Sequence, residues 1–183
     1  MILYYWILYN NISLLSLNIL NISFQKWNEA SNNSINFKRI FPNNIKSKQN
    51  IIKIFFYKKN HGDNNNFDGI GKILAHSTPP ISFERYGLFI HFDSEENWCY
   101  EENLNLCQDN YTSFLSVALH EIGHILGLYH SQYPKDIMFK YYNDAINLTN
   151  NDKKELDIVS KENIYFTYVR KHIKDVVLSL FII

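Results

Sequence analysis

The sequence predicts one domain of the α+β class, on three observations. A chain of 183 residues suits a single domain. Short apolar runs rich in β-branched and aromatic residues recur at 3–9, 51–57, 72–75 and 88–92, which is strand chemistry. Three further segments, 13–30, 113–126 and 150–161, carry helical spacing or helix start and stop signals. With 46% hydrophobic and 16% aromatic residues the chain can close a sizeable core, which excludes wholesale disorder.

Residues 1–22 look apolar, yet no Lys or Arg precedes Lys26, and Asn10, Asn11, Asn18 and Asn21 interrupt the run. A secretory signal wants a positive start and an unbroken apolar stretch, and a membrane span needs about 20 predominantly apolar residues. The segment therefore reads as a strand over 3–9 and an amphipathic helix over 13–30, with the signal-peptide reading open as the alternative. Leu14, Leu15, Leu17, Ile19, Leu20, Phe24 and Trp27 form the helix's apolar face. Residues 31–50 are a polar connection with a short strand signal at Ile35, Asn36 and Phe37.

The run IIKIFFY at 51–57 is the clearest buried strand, and a turn-rich loop follows from His61 to Gly71. A Pro79-Pro80 turn separates the strands at 72–75 and 88–92. Thr112 or Ser113 caps an apolar helix that stops at Gly127, and Leu148-Thr149 leads into the last helix. The sequence contains no internal repeat and no dividing linker.

Eighteen basic residues cancel eighteen acidic ones without a basic stripe, so a nucleic-acid partner has no electrostatic footprint. Two cysteines exclude a disulfide scaffold and a four-cysteine zinc site. Six of the seven histidines, however, fall between 61 and 130, the grouping of a metal protein.

Residues 120–131 read His-Glu-Ile-Gly-His-Ile-Leu-Gly-Leu-Tyr-His-Ser. On a helix His120 and His124 face one side and can grip one ion, with Glu121 beside it and not a ligand. Gly127 lets the chain leave the helix sharply and return His130 as a third ligand. Three protein ligands leave a position for water, as in catalytic zinc sites. Zinc there would bring that water's pKa from about 15.7 to roughly 7 and polarise a scissile carbonyl. Glu121 would take the proton and hand it to the leaving amine. A bare His-Glu-x-x-His pair also arises on solvated helices, but Gly127, His130 and the downstream Met138 extend the pattern well beyond it.

On these residues the sequence resembles the catalytic domain of the matrix metalloproteinases, the matrixins, from about residue 4 to 161. Ser131, directly after the third histidine, is the matrixin residue among the metzincins. The resemblance implies a zincin-like fold: a twisted, mostly parallel five-stranded sheet with three helices, the last beneath the Met138 turn. It implies a catalytic zinc on His120, His124 and His130, Glu121 as general base and acid, and Met138 as the hydrophobic base under the metal. His61, Asp63, His76 and His91 match the family's structural zinc set, a closed tetrahedron with no water position. Asp68, Asp93 and Glu96, with backbone oxygens of Gly69, Gly71 and Ile73, resemble calcium ligands, and hard oxygen donors on a Gly-rich turn suit that ion. The family's substrate lies extended along an edge strand, here Ile73, Leu74 and Ala75. Ser116 would set the floor of its main pocket and Tyr142 an aromatic wall.

Departures from the family are also legible. Ile51, Leu88 and Phe89 replace aspartates of further calcium sites, so one calcium site is expected, and Lys140 stands where the family has proline. The loop between His76 and His91 is about two residues longer than in typical relatives. A propeptide cysteine motif is missing, which reads as a fragment or as latency handled otherwise. Cys99 and Cys107 are either a disulfide stapling a short loop in an oxidising compartment or two free thiols. Sequons at Asn11, Asn21, Asn32, Asn110 and Asn147 fit secretion, although an asparagine-rich chain makes them by accident. The catalytic domain is assigned to 1–166 and a divergent tail to 167–183, whose apolar run is too short to span a bilayer. The expected activity is zinc-dependent hydrolysis of extended polypeptides, extracellular matrix proteins among them, by a secreted monomer open to a protein inhibitor. The alternative is a catalytically inert or truncated metal-binding module that binds matrix or inhibitor without cleaving.

Overall fold

The computed structural model describes residues 2–7, 13–40, 51–78, 87–161 and 181–182. The Pro79-Pro80 turn, the full loop between His76 and His91, most of the 167–183 tail and the sequon at Asn11 lie outside these residues. In chain order the elements are β1 (Ile2–Ile7), α1 (Leu14–Ala30), β2 (Asn36–Arg39), β3 (Ile51–Tyr57), β4 (Ala75–Ser77), β5 (Leu88–Asp93), β6 (Trp98–Cys99), β7 (Thr112–Ser113), α2 (Phe114–Ile125), α3 (Asn150–Lys161) and β8 (Phe181–Ile182).

The main sheet runs β2-β1-β3-β5-β4-β8. β1, β2, β3 and β5 are mutually parallel, and β4 is antiparallel to β5. That is the expected mostly parallel five-stranded sheet, with β8 added antiparallel on the outer edge of β4. In the sequence the apolar run at 176–183 is open to two readings, a misassigned tail or a packing strand, and the pairing of Phe181 and Ile182 with β4 is that of a strand. A strand was expected over 72–75, but β4 begins at Ala75. Gly71 and Lys72 have positive φ, and acidic side chains hold the amides of residues 69, 71 and 73, so the chain is curled until Leu74.

α1 begins at Ser13, whose hydroxyl accepts the Ser16 amide at 3.0 Å, and it buries Leu17, Ile19, Leu20, Phe24 and Trp27. Leu14 and Leu15, expected on that face, are 83% and 60% exposed, because the first turn projects past the core. α2 is buried on all sides, which explains its unbroken apolarity: α1 and the sheet pack around it. Its cap is Ser113, whose hydroxyl takes the Ser116 amide at 3.2 Å. At its other end the Gly127 amide bonds the His124 carbonyl and the Leu128 amide the Gly123 carbonyl. This Schellman ending needs φ of +97° at Gly127, as glycine allows.

Phe114 anchors an aromatic core against Phe56, Phe92, Trp98 and Tyr100. β6 and β7 pair in parallel, and Cys99 and Cys107 form a disulfide that closes the loop between them. Among the described residues no helix is long and apolar enough to cross a membrane.

Candidate metal centre

Residues 120–130 converge as the helical spacing predicts. His120 and His124 project from one face of α2, and the turn at Gly127 brings His130 back beside them. The ligand atoms of the three lie within 4.8 Å of one another, with His124 Nε2 and His130 Nε2 3.3 Å apart. A tetrahedral zinc with nitrogen ligands at about 2.0–2.1 Å separates them by about 3.3 Å, so the set fits zinc.

Backbone carbonyls settle the tautomers. His120 Nδ1 donates to the Ile137 carbonyl at 2.7 Å and His124 Nδ1 to the Leu128 carbonyl at 2.8 Å. A carbonyl only accepts, so each Nε2 keeps its lone pair toward the centre. Among the described residues His120 Nε2 is buried and unbonded, as are both carboxylate oxygens of Glu121, which is fully buried. Orphaned polar atoms of this kind call for a bound group. Burial pushes Glu121 up to about 8 and His120 down to about 3. His130 is lowered by burial and then by the charge of Lys140. Ser77 of β4 reaches the Glu121 backbone carbonyl at 3.3 Å, which ties the sheet to the centre.

Met138 lies under the cluster, and its sulfur occupies the space a Cβ on Gly123 would need. Trp27 Cζ2 is only 3.0 Å from that same point, and its indole N–H donates to the Leu119 carbonyl at 2.9 Å. Ser131 pins the chain after His130: its amide donates to the Met138 carbonyl at 2.6 Å and its hydroxyl to Asp136 at 2.5 Å. Asp152 of α3 accepts the Ile137 and Met138 amides at 3.0 and 3.2 Å. Sequence reasoning missed Trp27, Ser77, Gly123, Asp136 and Asp152. Only Gly123, inside the histidine motif, and Asp152, three residues after the Thr149 cap, carried a visible signal.

The second cluster is also assembled. Asp63 Oδ2 lies 3.1 Å from His61 Nε2, 2.8 Å from His76 Nε2 and 2.9 Å from His91 Nδ1. His76 Nε2 is 3.4 Å from His61 Nε2 and 3.1 Å from His91 Nδ1, again tetrahedral spacing for zinc. His76 and His91 are direct partners in the β4–β5 ladder. Stacking on Tyr57 and Phe67 sets His61, and its Nδ1 donates to the Lys59 carbonyl at 2.9 Å. Burial raises Asp63, but bonds from the Asn65 amide and His76 and the charges of His76 and His61 outweigh it and bring it to about 2. Burial lowers His91 to about 3.

Asp68, Asp93 and Glu96 gather around the loop between the clusters. They accept the amides of Ile73, Gly69 and Gly71 at 3.2, 3.2 and 2.6 Å. Burial raises Asp93 and Glu96, and neighbouring acids including Asp68 add to the rise. Neither Asp93 nor Glu96 has an ion pair among the described residues, which suits a hard cation.

Leu74 and Ala75 are buried, and the Leu74 carbonyl accepts the Asp93 amide at 2.9 Å. An open edge strand was expected here, but β8 pairs with β4 at His76 and Ser77, and only the stretch before His76 lies outside that pairing. Ser116 is 5% exposed and sits one helical turn before His120. The Tyr142 hydroxyl accepts the Ser113 amide at 2.7 Å and donates to Asp144, so its ring leans on the start of α2.

The fold and the paired histidine clusters define a zincin-like metal-site domain. The chain matches the matrixin family over residues 13–165 and belongs to it, and membership implies zinc. It is 38% identical over 127 residues to matrix metalloproteinase-2 of Drosophila melanogaster, covering 68% of this chain. It is 36% identical over 136 residues, 74% of the chain, to karilysin of Tannerella forsythia. With neutrophil collagenase of Homo sapiens it shares 40% identity over 120 residues, 66% of the chain. These stretches are 16%, 26% and 22% of the three relatives' own lengths, so the chain spans about a quarter or less of each.

Proposed function

We propose that this chain is a zinc-dependent endopeptidase that hydrolyses extended polypeptides. The observation carrying the reading is the fully buried Glu121 carboxylate, whose oxygens have no hydrogen-bond partner within range among the described residues, beside three converging histidines. His120, His124 and His130 hold the zinc, whose presence acidifies a water and polarises a carbonyl. Glu121 holds the proton released at its carboxylate and delivers it to the departing amine nitrogen. Its pKa near 8 is that of the metal-free pocket, and a nearby cation favours the ionised base. Met138, Gly127 and Ser131 shape the centre.

His61, Asp63, His76 and His91 hold a structural zinc. Asp68, Asp93 and Glu96, with the carbonyls of Gly69, Gly71 and Ile73, hold calcium. Substrate binds as an added strand along Ile73, Leu74 and Ala75, its side chain entering a pocket bounded by Ser116 and Tyr142. The names of the relatives, matrix metalloproteinase and collagenase, support extracellular matrix protein as the substrate class. The Cys99–Cys107 disulfide supports an oxidising, extracellular setting. The protein acts as a monomer and is open to protein inhibitors of its cleft.

The test is cleavage of a quenched fluorescent collagen-like peptide by the chain and by Glu121→Ala. A loss on the order of 10²–10⁴-fold in the variant, with zinc content unchanged, is the expected result. No cleavage by folded, zinc-loaded wild-type protein would overturn the reading and leave an inert metal-binding module.

A further inference from the structure

His130 is the most exposed of the three clustered histidines. It is half-buried and follows the helix on a loop, and a cleft of about 450 Å³ lies beside it. Leu128, Ser131, Met138, Asn151 and Asp152 are among the residues lining that cleft, so close packing alone does not hold the His130 arm. Hydrogen bonds add to the hold: the Ser131 amide lies on the Met138 carbonyl, and the side-chain bonds of the arm meet at Asp136.

Asp136 is 3% exposed and has no ion pair among the described residues. Its Oδ2 accepts the Ser131 hydroxyl at 2.5 Å and the Asn151 side-chain amide at 2.7 Å, and the Thr149 hydroxyl lies 2.6 Å from Oδ1. The carboxylate thereby joins three pieces: the residue after His130, the Met138 turn that carries Asp136, and the start of α3. The next residue, Ile137, offers its carbonyl to His120 Nδ1. From the His130 arm to the His120 acceptor the path is Ser131, Asp136, Ile137. A buried carboxylate is costly unless hydrogen-bonded, and here the Ser131 hydroxyl and the Asn151 amide donate to Oδ2 while the Thr149 hydroxyl is shared between Oδ1 and Asp152.

We propose that Asp136 is a positioning residue for the zinc centre, holding His130 in register with His120 through the Ser131 hydroxyl. This rests on the zinc reading above. An Asn at 136 would keep the shape but present only one acceptor oxygen to the three donors. Removing the Ser131 hydroxyl would break the side-chain tie between the His130 arm and Asp136, along with the bond the hydroxyl accepts from the Tyr133 amide, and leave Asp136 on Asn151 and Thr149.

The test uses the full chain loaded with zinc, in wild-type, Asp136→Asn, Ser131→Ala and Ser131→Thr forms. Zinc transfer to a chromogenic chelator is followed well below the melting temperature, and cobalt(II)-substituted protein is read by its visible absorption. Wild type should release two zinc ions with separate rates. In Asp136→Asn and Ser131→Ala one ion should leave roughly 10–100-fold faster with an altered cobalt spectrum. The other ion, on the distant four-ligand cluster, should be unaffected and serves as the internal control. Ser131→Thr, which keeps the hydroxyl, should restore slow release. Should Asp136→Asn fail to fold, Ser131→Ala carries the test. Two zinc ions with unchanged release in Ser131→Ala would overturn this proposal alone. Fewer than two ions in wild type would overturn the metal-centre reading as well.

Discussion

The two histidine clusters reach similar geometry by opposite routes. His120, His124 and His130 lie within eleven residues, and one helix and one glycine turn bring them together. His61, Asp63, His76 and His91 span 31 residues, and strand pairing with aromatic stacking assembles them. The local cluster leaves Glu121 unpartnered and His130 half-buried, the mark of a site kept open for chemistry. The dispersed cluster is closed on itself around one carboxylate oxygen. Openness and closure are thus separate properties from how far apart the ligands lie in sequence.

Graded chelation should give the largest separation between the clusters. The three-ligand centre, with fewer ligands and the weaker hold, should lose zinc first, abolishing peptide cleavage with a smaller fall in melting temperature. Stripping the four-ligand centre should then lower it by roughly 8–16 °C. That figure takes about 4 kcal/mol of linkage at a thousandfold excess over Kd and about 2–4 °C per kcal/mol. Activity and melting temperature falling together would erase the distinction.

Glycine substitution sharpens it further. Gly123→Ala would drive a methyl into the Met138 sulfur and Trp27, costing about 1–3 kcal/mol by overpacking. Shortening Met138 to Ala in the same chain should recover part of that loss in urea unfolding. Gly62, beside His61, has nothing within 4 Å of the point where a Cβ would stand, but it sits at φ +92°. Alanine there costs about 1–2 kcal/mol of backbone strain, which no trimmed neighbour can relieve.

The smallest effect is a pH slope in metal-free protein. His91 and His120 are lowered from 6.5 to about 3, so their contribution is present above pH 6.5 and is lost as pH falls toward 3. Glu121 is raised from 4.5 to about 8, so its contribution is present below pH 4.5 and is lost as pH rises through 8. Between these windows Glu121 offsets one histidine. Glu121→Gln should therefore steepen the rise in stability between pH 4.5 and 6.5 by up to about 1.4 kcal/mol per pH unit. Urea unfolding at stepped pH checks this, and identical slopes in the two proteins would contradict it.

Much of the local cluster was legible because its logic is helical: ligands four apart, a base next to the first, and a glycine where φ must be positive. The α1 and α2 segments and the strand at 51–57 were readable for the same reason, since periodicity and caps act within a few residues. The start of β4 was not, because side chains from as far away as Asp93 and Glu96 hold the preceding loop curled.

By itself the sequence determined the helices, most strands, and the grouping of His120, His124 and His130, because those depend on short-range spacing. The dispersed histidine set was read only through its resemblance to the family. Only the tertiary structure decided that Asp136 and Asp152 bracket the Met138 turn, that Gly123 is a seat for a sulfur, and that β8 lies along β4. Each of these joins residues far apart in the chain, or uses backbone groups that every residue carries. Contacts of that kind leave no periodic trace, and they exist only once the core has closed.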